Sequence, residues 1–247
     1  MNSARWVGRG LVLTNLTGRG YGDGTIKGSA AFEFPEHGQT DFRFSLDFAD
    51  IDLQKFMLGL KVTNKLEGLL TGNLTVTDGS EWRETGWNGY GWARLTNGFI
   101  WEYPIFGILS PVLNGISPGA GQDRARSATT TFILTNNVAF TDDMELRAAA
   151  LRLNYRGTVD FQQRVNARVD ATLLRDTPLL GPLLSFALSP FTRLFEYEIT
   201  GTLKEPVQKA AYIPGFLMKV LTPFDTLKKL LPESEKKPAP ESPPEGK

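Results

Sequence analysis

The sequence predicts a mainly β protein: a long antiparallel, amphipathic meander curled into a groove or partly open barrel, with three or four short amphipathic helices. Three observations lead there. From Val159 to Leu173 every odd position except Gln163 is apolar or small, and from Thr158 to Thr172 every even position is polar, a period of two that gives a strand one dry and one wet face. Similar alternation returns along the chain in runs separated by Gly, Asn, Asp and Pro. Helical spacing, in contrast, appears only in short stretches. Read as one strand, Thr158–Leu173 spans about 50 Å at ~3.3 Å per residue, so one whole side of a long sheet must be kept from water.

Composition narrows the function classes. With 27 basic and 27 acidic residues the net charge is zero, which points away from nucleic acid. The absence of cysteine removes disulfides, thiolate nucleophiles and thiolate metal sites. No apolar run reaches the ~18 residues of a spanning helix, and Met1–Arg5 leads into strand-like sequence without a signal-peptide core. The expectation is a cytosolic protein or part of something longer.

In chain order, Trp6–Thr14 reads as a strand and Tyr21–Gly24 as a turn. Ile26–Phe34 and Phe42–Phe48 alternate cleanly around Pro35–Gly38 and form a candidate hairpin. Ile51–Leu60 shifts to helical spacing, with Asp50 or Asp52 as N-cap. Leu66–Val76 is a strand ended by Asp78-Gly79, and glycines on its inner face leave room for something bulky. Residues 82–101 read as aromatic-rich strands broken at Asn97-Gly98, and Tyr103–Leu113 as a short apolar helix closed by Asn114-Gly115. After a loop at Ser117–Gln122 come strands at Ala128–Thr135 and Val138–Thr141, then Met144–Tyr155 with a bulge near Ala149. Beyond the long strand, Thr177–Arg193 is a second apolar helix, and Phe195–Leu203 a strand stopped by Glu205-Pro206. Gly215–Leu231 is amphipathic, with Phe216, Leu217, Val220, Leu221, Phe224 and Leu227 on the face offered to a membrane or partner. The expected organisation is a β-rich module at 1–213, the amphipathic helix at 214–231, and a disordered Pro/Glu/Lys tail at 232–247.

Catalytic chemistry finds no support in the motifs. His37, the one histidine, sits in a turn. Gly115-Ile116-Ser117-Pro118-Gly119 matches G-x-S-x-G, but an apolar helix precedes it and His37 lies upstream, against the order that elbow needs. Asp142-Asp143 lacks calcium-loop spacing, and Ser234–Lys237 fits S-x-x-K only within the tail. Gly18–Gly24 resembles a phosphate loop in glycine content alone. The expectation is a non-enzyme without metal or cofactor.

The dry face admits two readings: a closed sandwich or barrel filled by its own side chains, or an open trough that holds acyl chains. Burying a large apolar side chain is worth roughly 1.5–3 kcal/mol, so this face cannot stay wet. The candidate lining is Phe42, Phe44, Leu46 and Phe48 on one run, Val159, Phe161, Val165 and Val169 on the next, and Phe195, Tyr197 and Ile199 on the last.

The phrase Gly89-Tyr90-Gly91-Trp92-Ala93-Arg94-Leu95-Thr96-Asn97-Gly98-Phe99-Ile100-Trp101-Glu102-Tyr103-Pro104-Ile105, followed by a short apolar helix, resembles the AsmA-like C-terminal region. So does the closing order from Gly157-Thr158-Val159-Asp160 through a Pro-Leu-Leu segment to Phe195-Glu196-Tyr197-Glu198-Ile199-Thr200-Gly201-Thr202-Leu203-Lys204-Glu205-Pro206. The resemblance covers roughly 66–206 and carries no catalytic signature. It implies a bacterial envelope protein of the periplasm, concerned with outer-membrane biogenesis, whose hydrophobic groove moves phospholipid between the inner and outer membranes. It also implies phospholipid or another acyl-chain ligand, with a membrane surface or envelope proteins as partners and no nucleic acid. The family's N-terminal anchor helix is missing from this chain, so inner-membrane anchoring is expected through a segment outside it. The rival is a carbohydrate-binding or structural β-sandwich of the envelope using Trp82, Trp87 and Trp92.

Overall fold

The computed structural model describes residues 3–59, 66–81, 86–100, 104–107, 110, 114, 125–148, 151–173 and 192–212. They form one 12-stranded antiparallel sheet in strict sequence order, each strand hydrogen-bonded to the next. The strands are β1 (Ser3–Val7), β2 (Gly10–Arg19), β3 (Thr25–Glu33), β4 (Asp41–Asp52), β5 (Glu67–Ser80) and β6 (Asn88–Phe99), then β7 (Ala125–Thr135), β8 (Val138–Arg147), β9 (Leu151–Asp160), β10 (Val165–Leu173), β11 (Thr192–Gly201) and β12 (Pro206–Tyr212). β1 and β12 are the two edges, so the sheet does not close into a barrel. Helix α1 (Leu53–Gly59) follows β4, and helix α2 (Pro104–Gly107) follows β6.

The expected three or four amphipathic helices are not supported: the described residues hold α1 and α2, with Ser110 and Asn114 also helical beyond α2. The expected helix at 177–193 gives way to strand at Thr192 and Arg193; the rest of it, and all of 215–231, lie outside the described residues. Where α1 forms, its cap is Asp52, whose Oδ1 accepts the Lys55 N–H at 3.0 Å.

The expected long strand Thr158–Leu173 is a hairpin. Asp160 ends β9 and its carboxylate accepts the Arg164 N–H at 2.8 Å. Gln163 sits at φ +66 and its N–H donates to the Asp160 carbonyl at 2.9 Å. Val159 pairs with Val165, so odd positions face odd positions and the alternation runs unbroken through the turn. Gln163, the one exception to the pattern, is the residue that turns the chain. The same kind of correction applies at Trp6–Thr14, where Gly8 at φ +62 turns β1 into β2. Near Ala149 the expected bulge is a strand ending, with β8 stopping at Arg147 and β9 starting at Leu151. Asn97-Gly98 does not break β6: Asn97 takes φ +52 and the strand continues to Phe99. Pro206 does not stop the sheet either. It opens β12, at the start of an edge strand, where a missing N–H costs little.

One face of the sheet carries the core. Leu95, Ala128, Leu146, Leu153, Ala171 and Phe195 succeed one another across β6–β11, and Ile105 and Phe106 of α2 pack onto them. Phe106 meets the Tyr155 ring edge-on at 5.5 Å. The N-terminal strands differ: on β2–β4 only Ile51 falls in the buried core, and every residue of β1 is exposed.

Candidate functional site: an apolar wall, a tryptophan pillar and a lateral cavity

β4 places Phe42, Phe44, Leu46 and Phe48 on the core-facing side, all half-buried. Register sets Phe48 opposite Gly72, and Phe42 opposite Gly79. Glycine is needed at both positions, because a Cβ at Gly72 would lie 2.7 Å from Phe48 Cζ, and one at Gly79 2.5 Å from Phe42 Cε2. Gly91 serves Phe132 in the same way, at 2.5 Å. The rings thus lie down over neighbouring backbone instead of standing into the space above the sheet. Of the inner-face glycines expected within Leu66–Val76, Gly72 carries the Phe48 ring, whereas Gly68 lies against Leu95.

Trp87 shows that the sheet bends. Its indole meets Phe42 at 5.1 Å and Phe161 at 5.4 Å, both edge-on. Phe42 is on β4 and Phe161 follows β9, five strand spacings apart, about 24 Å in a flat sheet. The pillar is held by Trp87 Nε1–H donating to the Ser80 carbonyl at 3.2 Å, and by Trp87 N–H donating to Asn137 Oδ1 at 2.7 Å. Phe161, expected in a strand lining, is therefore a half-exposed turn residue packed on this indole.

The other candidate lining residues divide. Val165, Val169, Phe195, Tyr197 and Ile199 are brought together, but as fully packed core: none is more than 5% exposed. Val159 is partly buried against the same cluster. Only the β4 row borders open space. Phe216, Leu217, Val220, Leu221, Phe224 and Leu227 lie outside the described residues.

That open space is a cavity of about 520 Å³ between β2–β5 and α1, lined by Ile26, Leu46, Phe48, Ile51, Phe56, Leu70 and Leu74, with Arg19, Gly20 and Tyr21 completing the lining. A hollow of similar size near the β3–β4 turn is edged instead by Arg9, Glu33, Asp41, Arg43 and Asp78. The lateral cavity is the more apolar of the two. Of its residues, sequence reasoning named only Leu46 and Phe48 as lining. The missed signal is the Gly20-Tyr21-Gly22-Asp23-Gly24 turn, which folds as a lip against Ile51.

The polar candidates fall elsewhere. His37 is exposed in the β3–β4 turn. Asp143 sits at the bulge of β8, where its carboxylate accepts Thr131 N–H at 2.8 Å and the Thr131 hydroxyl at 2.6 Å. Partial burial works against its charge, but these bonds and others from Thr141 and Thr130 outweigh it and hold the carboxyl below its usual range. Residues 115–119 lie outside the described residues. Among the described residues no group of three or more His, Asp or Glu is placed to hold a metal ion. Trp92 and Tyr90 are exposed on the opposite face of the sheet, while Trp82 lies outside the described residues.

In comparisons with known proteins, no family model, curated protein or solved structure matches the chain.

Proposed function

We propose that this chain is a non-enzymatic module of the bacterial cell envelope, placed in the periplasm, whose concave apolar wall carries acyl chains of phospholipid during outer-membrane biogenesis. One observation supports it above the rest. The wall borders a lateral cavity lined mostly by aliphatic and aromatic side chains, with Arg19 as the one charged residue of its lining. A cavity within the roughly 300–1,000 Å³ range of ligand sites, lined in this way, favours hydrocarbon over water or a polar substrate. Each side chain contributes apolar contact and none takes part in covalent chemistry.

The test is to purify the chain and extract it for lipid mass spectrometry. Phospholipid retained through purification at near one per chain supports the reading; a lipid-free chain that also fails to take lipid from vesicles overturns it.

The rival reading keeps one observation in its favour: Tyr90 and Trp92 lie two residues apart on β6, exposed on the outer face. Trp87 cannot serve it, being packed among phenylalanines. Glycan binding lost in Trp92→Ala, in a chain that carries no lipid, would favour a carbohydrate module instead.

A further inference from the structure

We infer that the lateral cavity is a single-chain site: it takes one long acyl chain, whose anionic head, carboxylate or phosphate, rests at the mouth beside Arg19 and Tyr21. This rests on the acyl-carrying reading above and narrows it to one place and one stoichiometry. Its first support is size. A methylene occupies about the volume of a water in the liquid, ~30 Å³, so the 520 Å³ space holds roughly 17 such units. That is the size of one long acyl chain.

The second support is a built mouth. The Gly20 N–H donates to the Gly24 carbonyl at 2.8 Å, and the Asp52 N–H to the Tyr21 carbonyl at 2.9 Å, which ties the turn to the start of α1. A Cβ at Gly20 would fall 2.1 Å from Ile51 Cδ1, and one at Gly24 2.7 Å from it, so these glycines let the turn lie flat on the cavity wall. Tyr21 meets Phe56 edge-on at 5.7 Å, and a Cβ at Gly59 would fall 2.3 Å from the Tyr21 hydroxyl oxygen. The glycine-rich turn is thus a fixed lip that holds the Tyr21 phenol against Phe56 and Gly59 of α1. The third support is charge. Lys55, the nearby cation of α1, is paired with Asp52 at 3.5 Å, whereas Arg19 has no ion-pair partner among the described residues. An anionic head meets an unspent positive charge there.

The experiment titrates cis-parinarate, a fluorescent anionic long-chain probe, into the full chain, with its neutral methyl ester as control. Saturation at one probe per chain is expected. Leu74→Trp, which fills the cavity, is expected to weaken the probe by at least about tenfold with the β-sheet circular dichroism unchanged. Arg19→Glu should weaken parinarate several-fold and leave the methyl ester unaffected. Should Leu74→Trp fail to fold, Ile26→Phe supplies the same test with a smaller increase in volume. Displacement by oleate but not by lysophosphatidylglycerol micelles assigns the site to free fatty acids, and displacement by lysophosphatidylglycerol assigns it to a single chain with a phosphate head. Displacement by neither, or a folded Leu74→Trp that binds as the parent does, overturns the inference. If such a variant still co-purifies with phospholipid, the groove reading survives and only this site falls.

Discussion

Single residues decide how this sheet can be both curved and lined with aromatic rings. Gly72 is the clearest case: a Cβ there would lie 2.3 Å from the Trp92 carbonyl oxygen as well as against Phe48. Gly72→Ala must therefore move backbone or lift a ring, and is expected to cost about 1–3 kcal/mol in denaturant melts. Two buried phenols make a second prediction. Burial at 1% exposure pushes the Tyr197 hydroxyl up to about 12, and burial drives that of Tyr155 higher still. Both then bind protons in the folded state at pH values where the unfolded chain releases them near 10. Stability from these groups is whole below pH 10 and falls as pH rises from there through 12, by up to ~1.4 kcal/mol per pH unit for each. Alkaline titration followed by circular dichroism should show this fall, flattened in Tyr197→Phe. The Tyr155 hydroxyl is buried without a hydrogen-bond partner among the described residues, so Tyr155→Phe should be neutral or stabilising by about 1 kcal/mol at neutral pH. Alternation alone put Phe42, Phe44, Leu46 and Phe48 on one face. It could not show that the residues opposite Phe48 and Phe42 are glycines, because cross-strand register is set by bulges that lie outside the pattern.

At the scale of elements, the hairpin of Ile26–Phe34 with Phe42–Phe48 was legible from its Pro35–Gly38 turn, whereas the one around Gln163 was not. A hairpin that pairs odd positions with odd positions preserves the period of two, so β9 and β10 read as one strand, with Gln163 as the only mark of the turn. Proline misled differently: Pro206 breaks a central strand but suits the first residue of an edge. α1 was legible because its apolar spacing and its cap are local signals. Asp52→Ala removes the cap bond to the Lys55 N–H and is expected to cost about 1 kcal/mol, a fall of roughly 2–4 °C in thermal midpoint for a chain of this size. Since α1 also walls the cavity through Phe56, the same variant should loosen the neutral methyl ester of parinarate, a probe on which the freed Lys55 charge does not act; a purely global loss of stability would not do so well below the midpoint.

Over the whole molecule, a one-sided meander curls until strands five spacings apart share one tryptophan. The C-terminal part of the curve is filled by its own side chains and by α2; the N-terminal part keeps a cavity. Packed core and open space are thus distributed unevenly along one sheet, a distinction that periodicity cannot carry because both halves alternate alike. Amide exchange should follow it, slowest in β9–β11, where the buried cluster is densest, and fastest in β1, where every residue is exposed. The central claim, that hydrocarbon belongs against the β4–β5 wall, is tested most directly by photo-crosslinking a diazirine-bearing long-chain fatty acid to the purified chain and mapping the labelled peptides. The account predicts labels within residues 41–52 and 67–76, competed by unlabelled oleate and lost in Leu74→Trp. Labels confined to the outer face around Tyr90, Trp92 and Ile133, or none that oleate competes, would contradict it.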